Sequence, residues 1–247
     1  MPPPPAFDLV RVSRAHSAAG SRFVLEVDAF AVRRGEALAL VGPSGAGKST
    51  MLDLLALALK PDAAERFTLT ARDGAAVDIA AAWATGAIDR LTAARAAHLG
   101  YVLQQGGLLP FLTVAENIAL SQRVLGRRDP ERVRTLAERL DIAALLDRKP
   151  AALSVGQRQR AAIARALAHD PEILLADEPT ASVHPALADT VLALLVEQAR
   201  AADAALILAT HDPDRAARHG MEIVQVAVSA EGAGRSRFTR RAAAAAA

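Results

Sequence analysis

Gly42–Thr50 reads GPSGAGKST, and the reading of the chain turns on it. The stretch fits G-x-x-x-x-G-K-[ST] at every constrained position, the pattern of a loop that cradles phosphate. Just before it, Ala37–Val41 (ALALV) is a short apolar run, as in a strand buried on both faces. Just after it, Met51–Leu59 is rich in Leu and Ala and reads as helix. Strand, loop and helix in that order are the setting the motif needs. Gly42, Gly45 and Gly47 let the backbone turn sharply and bring its amides close to an anion. Pro43, Ser44, Ala46 and Thr50 belong to the same cradle, and the helix N-terminus adds free N–H groups and a favourable dipole. Lys48 supplies a point charge for the β/γ-phosphates and Ser49 a hydroxyl for Mg²⁺. An ordinary glycine-rich turn with a surface lysine would share the composition but not the flanks. Alone, the motif indicates a nucleotide phosphate and no more.

The 247 residues are enough for one large α/β domain, or for one with an inserted lobe. Apolar residues make up 52% of the chain and aromatics 3%, so the core must be aliphatic. There is no cysteine, which excludes disulfides, thiolate metal sites and a Cys nucleophile. A formal charge of +2 is too small to imply a nucleic-acid partner, and none is expected. No apolar run approaches the roughly 20 residues that span a bilayer. The Met-Pro-Pro-Pro-Pro start lacks the basic and apolar regions of a signal peptide. Work at a membrane would therefore require another protein to hold the chain there.

Around the motif, residues 1–6 are expected to be extended and disordered. Phe7–Val12 and Phe23–Val32 read as strands, as do Phe67–Thr70 and Val77–Ile79. Asp89–Ala97 reads as helix, and the Ala-rich segment before it carries no clear signal. Gly100–Gln104 is a strand ending in glutamine. Thr113–Leu125 is a helix, with Thr113 as N-cap and Glu116 three residues on, as in a capping box. Pro130–Leu140 and Ile142–Asp147 continue as helices, so 105–153 reads as a helical lobe inserted between α/β portions 7–104 and 154–228. Gln157–His169 and Leu187–Ala199 read as helices, Ala205–Ala209 as a buried strand and Met221–Val228 as the last strand. Residues 229–247, ending in six alanines, are expected to be a poorly ordered low-complexity tail.

A second acidic feature fits the first. Ile173–Ala176 is a buried apolar run followed by Asp177 and Glu178. Such a strand delivers adjacent carboxylates to the carboxyl edge of a parallel sheet, where open α/β folds bind ligands. Asp177 would hold Mg²⁺, directly or through water, and Glu178 could accept a proton from an attacking water. Gln104, also at a strand end, could contact Mg²⁺ and that water, although on its residues alone a solvated strand-end glutamine is the default reading. His211 follows the run Ala205–Ala209 and could bond a γ-phosphate and hold water and base in line. The six histidines show no metal-ligand spacing.

Leu153–Gln157 (LSVGQ), followed by Arg158-Gln159-Arg160, resembles the LSGGQ signature of ATP-binding cassette (ABC) ATPases. The likeness runs from about residue 7 to 228 and takes in the P-loop, Gln104 as Q-loop, Asp177 and Glu178 as Walker B, Thr180–His184 as D-loop and His211 as H-loop. Gly100–Asn117 looks most like the bacterial subfamily of lipoprotein-releasing, MacB-type efflux and cell-division ATPases. The resemblance implies a P-loop NTPase (RecA-like) α/β core with an antiparallel β subdomain and an inserted α-helical lobe. It implies ATP and Mg²⁺ as ligands and a head-to-tail dimer with a second copy of the chain. Ser154, Gly156 and Gln157 of one copy would cover the γ-phosphate held by the other. It also implies transmembrane permease subunits, docked through the Q-loop and helical lobe, and a peripheral place at the cytoplasmic face of the inner membrane.

Three positions depart from the family pattern. Val155 stands where glycine is usual, which is costly only if the backbone there needs a positive φ. His184 stands in place of the D-loop aspartate. Near residues 15–16, where the family has an adenine-stacking aromatic, the sequence offers only His16. The function implied is that of an ATP-hydrolysing transporter subunit. The alternative is a related ATPase that drives a mechanical membrane complex of the cell-division type.

Overall fold

The computed structural model describes residues 3–18, 21–104, 106–181, 185–228 and 234–240. Two sheets build it. The first contains β3 (Ala37–Val41), β6 (Leu99–Val102), β7 (Ile173–Asp177), β8 (Ala205–Thr210) and β9 (Glu222–Gln225). Its order is β6-β7-β8-β3-β9, and every pairing in it is parallel. The second contains β1 (Phe7–Ala18), β2 (Ser21–Val32), β4 (Arg66–Thr70), β5 (Ala76–Asp78), β10 (Ala227–Val228) and β11 (Arg235–Arg240). Its order is β10-β11-β2-β1-β4-β5, antiparallel except where β11 runs parallel to β2.

The apolar runs of the parallel sheet divide by alternation between two cores, because successive side chains of a strand point to opposite faces. Leu38, Leu40, Ile173, Leu175, Ala205, Ile207 and Ala209 join one core with Phe7, Leu25, Phe30 and Phe67 of the antiparallel sheet. Helix α1 (Lys48–Leu55) lies in that core, with Met51, Leu52, Leu54 and Leu55 fully buried. Ala39, Val41, Leu174, Ala176, Leu206 and Leu208 face the other core, which the later helices cover. Those helices are α6 (Val155–Leu167), α7 (Pro185–Ala201) and α8 (Pro213–Arg218), while α2 (Ile79–Thr85) and α3 (Ile88–His98) precede β6.

Between β6 and α6 lie α4 (Val114–Val124), α5 (Pro130–Arg139) and two 3-10 turns, Ala143–Leu145 and Pro150–Ala152. Thr113 caps α4 in a reciprocal capping box with Glu116. Ile142–Asp147, expected as helix, forms only the first of those 3-10 turns.

The C-terminal expectation needs correction. Met221–Val228 is not one strand: β9 and β10 belong to different sheets, and Val226 between them donates its amide to Val41 O at 2.8 Å. The segment expected to be a disordered tail contains β11. Its alternation is real but hidden, because Arg240 stands on the buried face with Ser236 and Phe238. Phe238 is fully buried, and Arg240 reaches Glu36 at 2.9 Å and Glu222 at 2.9 and 3.0 Å. The six-alanine end lies outside the described residues. At the other terminus Ala6 is already ordered: it is fully buried, and its amide donates to Val32 O at 2.8 Å. The Ala-rich stretch without a clear signal is α2, whose N-cap Asp78 accepts from Ala81 N at 2.9 Å.

Candidate active site

Strand order places the site. β3 lies beside β8, which lies beside β7, so the segments leaving these three strands emerge at one carboxyl edge. From β3 leaves the loop 42–47. Gly45 and Gly47 hold φ of +78° and +79°, the left-handed region that an L side chain resists. Gly47 is also the N-cap of α1. Lys48, buried to 7% exposure, donates from Nζ to Gly42 O at 2.7 Å and to Pro43 O at 3.0 Å. The loop is thereby closed on its own lysine.

From β7 come the two acids. Asp177 is 7% exposed, and burial pushes its carboxyl above the ordinary aspartate range. The neighbouring charges of Glu178 and Asp53 push the same way, while a hydrogen bond from Ser49 and the charge of Lys48 oppose them. Glu178 has φ of +46°, uncommon for a non-glycine residue, and its amide donates to Ala209 O at 3.0 Å on β8. From β8 comes His211, whose Nδ1 donates to Glu178 Oε2 at 2.7 Å. Sequence distance separates Lys48, the Asp177–Glu178 pair and His211; the sheet brings them to one edge.

Gln104 lies two residues past β6, exposed in a turn rather than at the strand's last position. Ser154 caps α6, its Oγ accepting from Gln157 N at 3.2 Å, while Gln157 Oε1 accepts from Ser154 N at 2.8 Å. The Gln157 side chain is thus engaged in the cap. Val155 opens the helix and does not take a positive φ, so the change from glycine carries no backbone strain there. Gly156 sits in the first turn of the same helix. His184 lies outside the described residues.

Three residues that sequence reasoning missed belong to the surroundings. The hairpin pairs His16 with Phe23, and the Phe23 ring, not the exposed His16 imidazole, packs on the P-loop. A Cβ on Gly47 would stand 2.6 Å from Phe23 Cζ. The register of β1 and β2 places Phe23 opposite His16, and the packing of its ring on Gly47 appears only in the fold. Tyr101 on β6 donates to Asp53 Oδ1 of α1 at 3.0 Å, and burial followed by the charge of Asp53 raises its phenol. Arg165 on α6 donates to the carbonyls of Gly106 and Gly107 beside Gln104.

For Mg²⁺, the residues present fit. Ser49 and Asp177 are hard oxygen donors already in contact, and Asp177 is a buried carboxylate beside two others, which a cation would relieve.

The family described as ABC transporter matches residues 25–181. The lipoprotein-releasing system ATP-binding protein LolD of Paramagnetospirillum magneticum is 42% identical over 190 residues, covering 76% of this chain and 80% of its own. LolD 1 of Rhodospirillum rubrum is 41% identical over 222 residues, covering 87% and 93%. Among solved structures, a dimeric post-hydrolysis state of an ATP-binding cassette bound to ADP and Pi superposes with a TM-score of 0.77 at 28% identity, covering 89% of this chain and 93% of that one. No helix among the described residues is long and apolar enough to cross a membrane. The family match over more than half of the chain and the relatives above 40% identity lead to one conclusion: this chain belongs to the ABC transporter family, as an ATP-binding, ATP-hydrolysing cassette.

Proposed function

We propose that two copies of this chain close head to tail on ATP and that their closure drives transmembrane permease subunits at the cytoplasmic face of the inner membrane. The lipoprotein-releasing relatives make lipoprotein release the transport reaction we assign, in preference to a non-transport mechanical complex. In this reading the amides of Gly42–Thr50 and Lys48 hold the phosphates, as a helix N-terminus and a point charge do. Ser49, Asp177 and Gln104 would hold Mg²⁺. Bound there, the ion neutralises charge on the phosphoryl group. Glu178 accepts the proton of the attacking water, and His211 fixes the carboxylate that does so. Ser154, Gly156 and Gln157 cover the γ-phosphate of the opposite copy. The lobe at 105–153 is the part that would meet the permease.

The observation that carries the reading is the 2.7 Å contact between His211 and Glu178 at the edge where the P-loop leaves its strand. The test is Glu178→Gln. Loss of a general base costs about 10²–10⁴-fold in turnover. The variant is expected to lose hydrolysis to that degree, keep ATP bound and accumulate as an ATP-dependent dimer in size-exclusion chromatography with light scattering. Undiminished hydrolysis refutes the base assignment. Recovery of the chain from detergent-solubilised membranes with DNA or ribosomes, and never with a polytopic subunit, refutes the membrane role.

A further inference from the structure

The helix that presents Ser154 also grips the segment after Gln104. Arg165 Nη1 donates to Gly107 O at 2.8 Å, and Nη2 donates to Gly106 O at 2.9 Å. Gly106 and Gly107 take φ of +74° and +59°, so two successive left-handed residues turn their carbonyls onto one guanidinium. That fork usually meets a carboxylate, which its planar geometry matches. Here desolvation lowers the Arg165 pKa, and no carboxylate charge among the described residues offsets it. Among the described residues this half-buried guanidinium meets the two loop carbonyls and no carboxylate, so it serves to fasten the loop.

The fastening continues on both sides. Asn117, fully buried on α4, accepts from Leu109 N at 2.8 Å and donates to the carbonyls of Leu109, Leu112 and Thr113. Ser121 on α4 donates to Arg165 O at 2.9 Å. Residues 106–113 are therefore tied to α6 at one end and to α4 at the other, and α4 is tied to α6. Between the last residue of β6, Val102, and the first clamped residue, Gly106, only 103–105 remain, and Gln104 is the middle one.

We propose that Arg165 is a positioning residue that fastens the loop to the signature helix, so that the position of Gln104 follows that of Ser154. The proposal rests on the reading of Gln104 as a contact to Mg²⁺ and the attacking water. When α6 shifts, the clamped loop shifts with it, and Gln104 stands two positions before the first clamped residue. A lysine at 165 would present one ammonium and hold one carbonyl, where arginine holds two.

The experiment is a double-mutant cycle on the purified full-length chain, with kcat and KM for ATP measured on Arg165→Met, Arg165→Lys, Gln104→Ala and both double variants. Misplacing a contact to the reacting atoms by about 1 Å costs on the order of 100-fold. Arg165→Met is expected to lower kcat by roughly 10- to 100-fold with KM within about twofold, and Arg165→Lys by less. In the Gln104→Ala background neither change lowers kcat by more than about twofold, because the residue being positioned is gone. Should Arg165→Met not fold, Arg165→Lys is read through the same cycle. An equal loss in both backgrounds, or unchanged kcat in the Arg165 variants, overturns the proposal and leaves the reading of Gln104 standing. A Gln104→Ala protein with full turnover overturns both.

Discussion

Replacing Gly47 by alanine separates two costs that the P-loop imposes. The first is conformational: at φ of +79° an L residue is strained by about 1–2 kcal/mol. The second is steric: the new methyl would stand 2.6 Å from Phe23 Cζ and 3.0 Å from Cε1, so the ring must swing aside. Displacing a packed side chain costs typically about 1–3 kcal/mol, and a half-buried ring tip sits at the lower end of that range. Together the two reach about 2–4 kcal/mol, a large part of the stability of an ordinary domain. At about 2–4 °C per kcal/mol for a chain near this size, the melting temperature of the nucleotide-free protein should fall by at least about 4 °C. Nucleotide affinity should fall as well, since the residue caps α1 where the amides converge. Adding Phe23→Leu to Gly47→Ala should return the steric share of the melting temperature and leave the conformational share. Differential scanning calorimetry and fluorescent-nucleotide titration read both quantities. If Gly47→Ala melts and binds like the parent, the left-handed P-loop conformation is wrong. If Phe23→Leu restores nothing, the ring does not lie where it is described.

Two further outcomes follow from other parts of the molecule. Phe238→Ala, a fully buried aromatic on β11, should destabilise by about 3–5 kcal/mol, and an unchanged melting temperature would mean that the C-terminal segment does not belong to the sheet. Asp177→Asn should stabilise the nucleotide-free protein at pH 7 while abolishing Mg²⁺-dependent hydrolysis. The sign comes from linkage: a folded carboxyl pKa raised above 3.8 favours the protonated form, so its stabilising effect is complete below 3.8 and lost as pH rises through the folded value. The advantage of asparagine should therefore appear in melting curves at neutral pH and vanish at acid pH, and an advantage independent of pH would contradict the burial argument.

The core of the fold was legible because its elements speak locally. ALALV before the P-loop and ILLA at 173–176 are continuous apolar runs that read as strands buried on both faces. Thr113 and Glu116 announce their helix through cap chemistry. What stayed hidden depended on partners distant in sequence. RSRFTR looks like a solvated basic tail until Glu36 and Glu222 are set beside Arg240. Phe23 reads as the start of a strand and nothing more, until the hairpin register places it opposite His16. Residues 221–228 read as one strand in sequence, yet the chain changes sheets at Val226, a step that no periodicity encodes. At the site, the two motifs were readable from spacing. The contact between Glu178 and His211 was not, because it needs β7 and β8 side by side.

Lys48 has an implication for how an incoming anion is received. Its ammonium is not waiting in solvent: it already sits below the surface, satisfied by the carbonyl oxygens of Gly42 and Pro43. Phosphate therefore arrives as a competitor for ligands, and the tether that carries the charge was immobilised when the polypeptide folded. The rotamer entropy of a lysine, on the order of 2 kcal/mol, is consequently not surrendered again at the encounter.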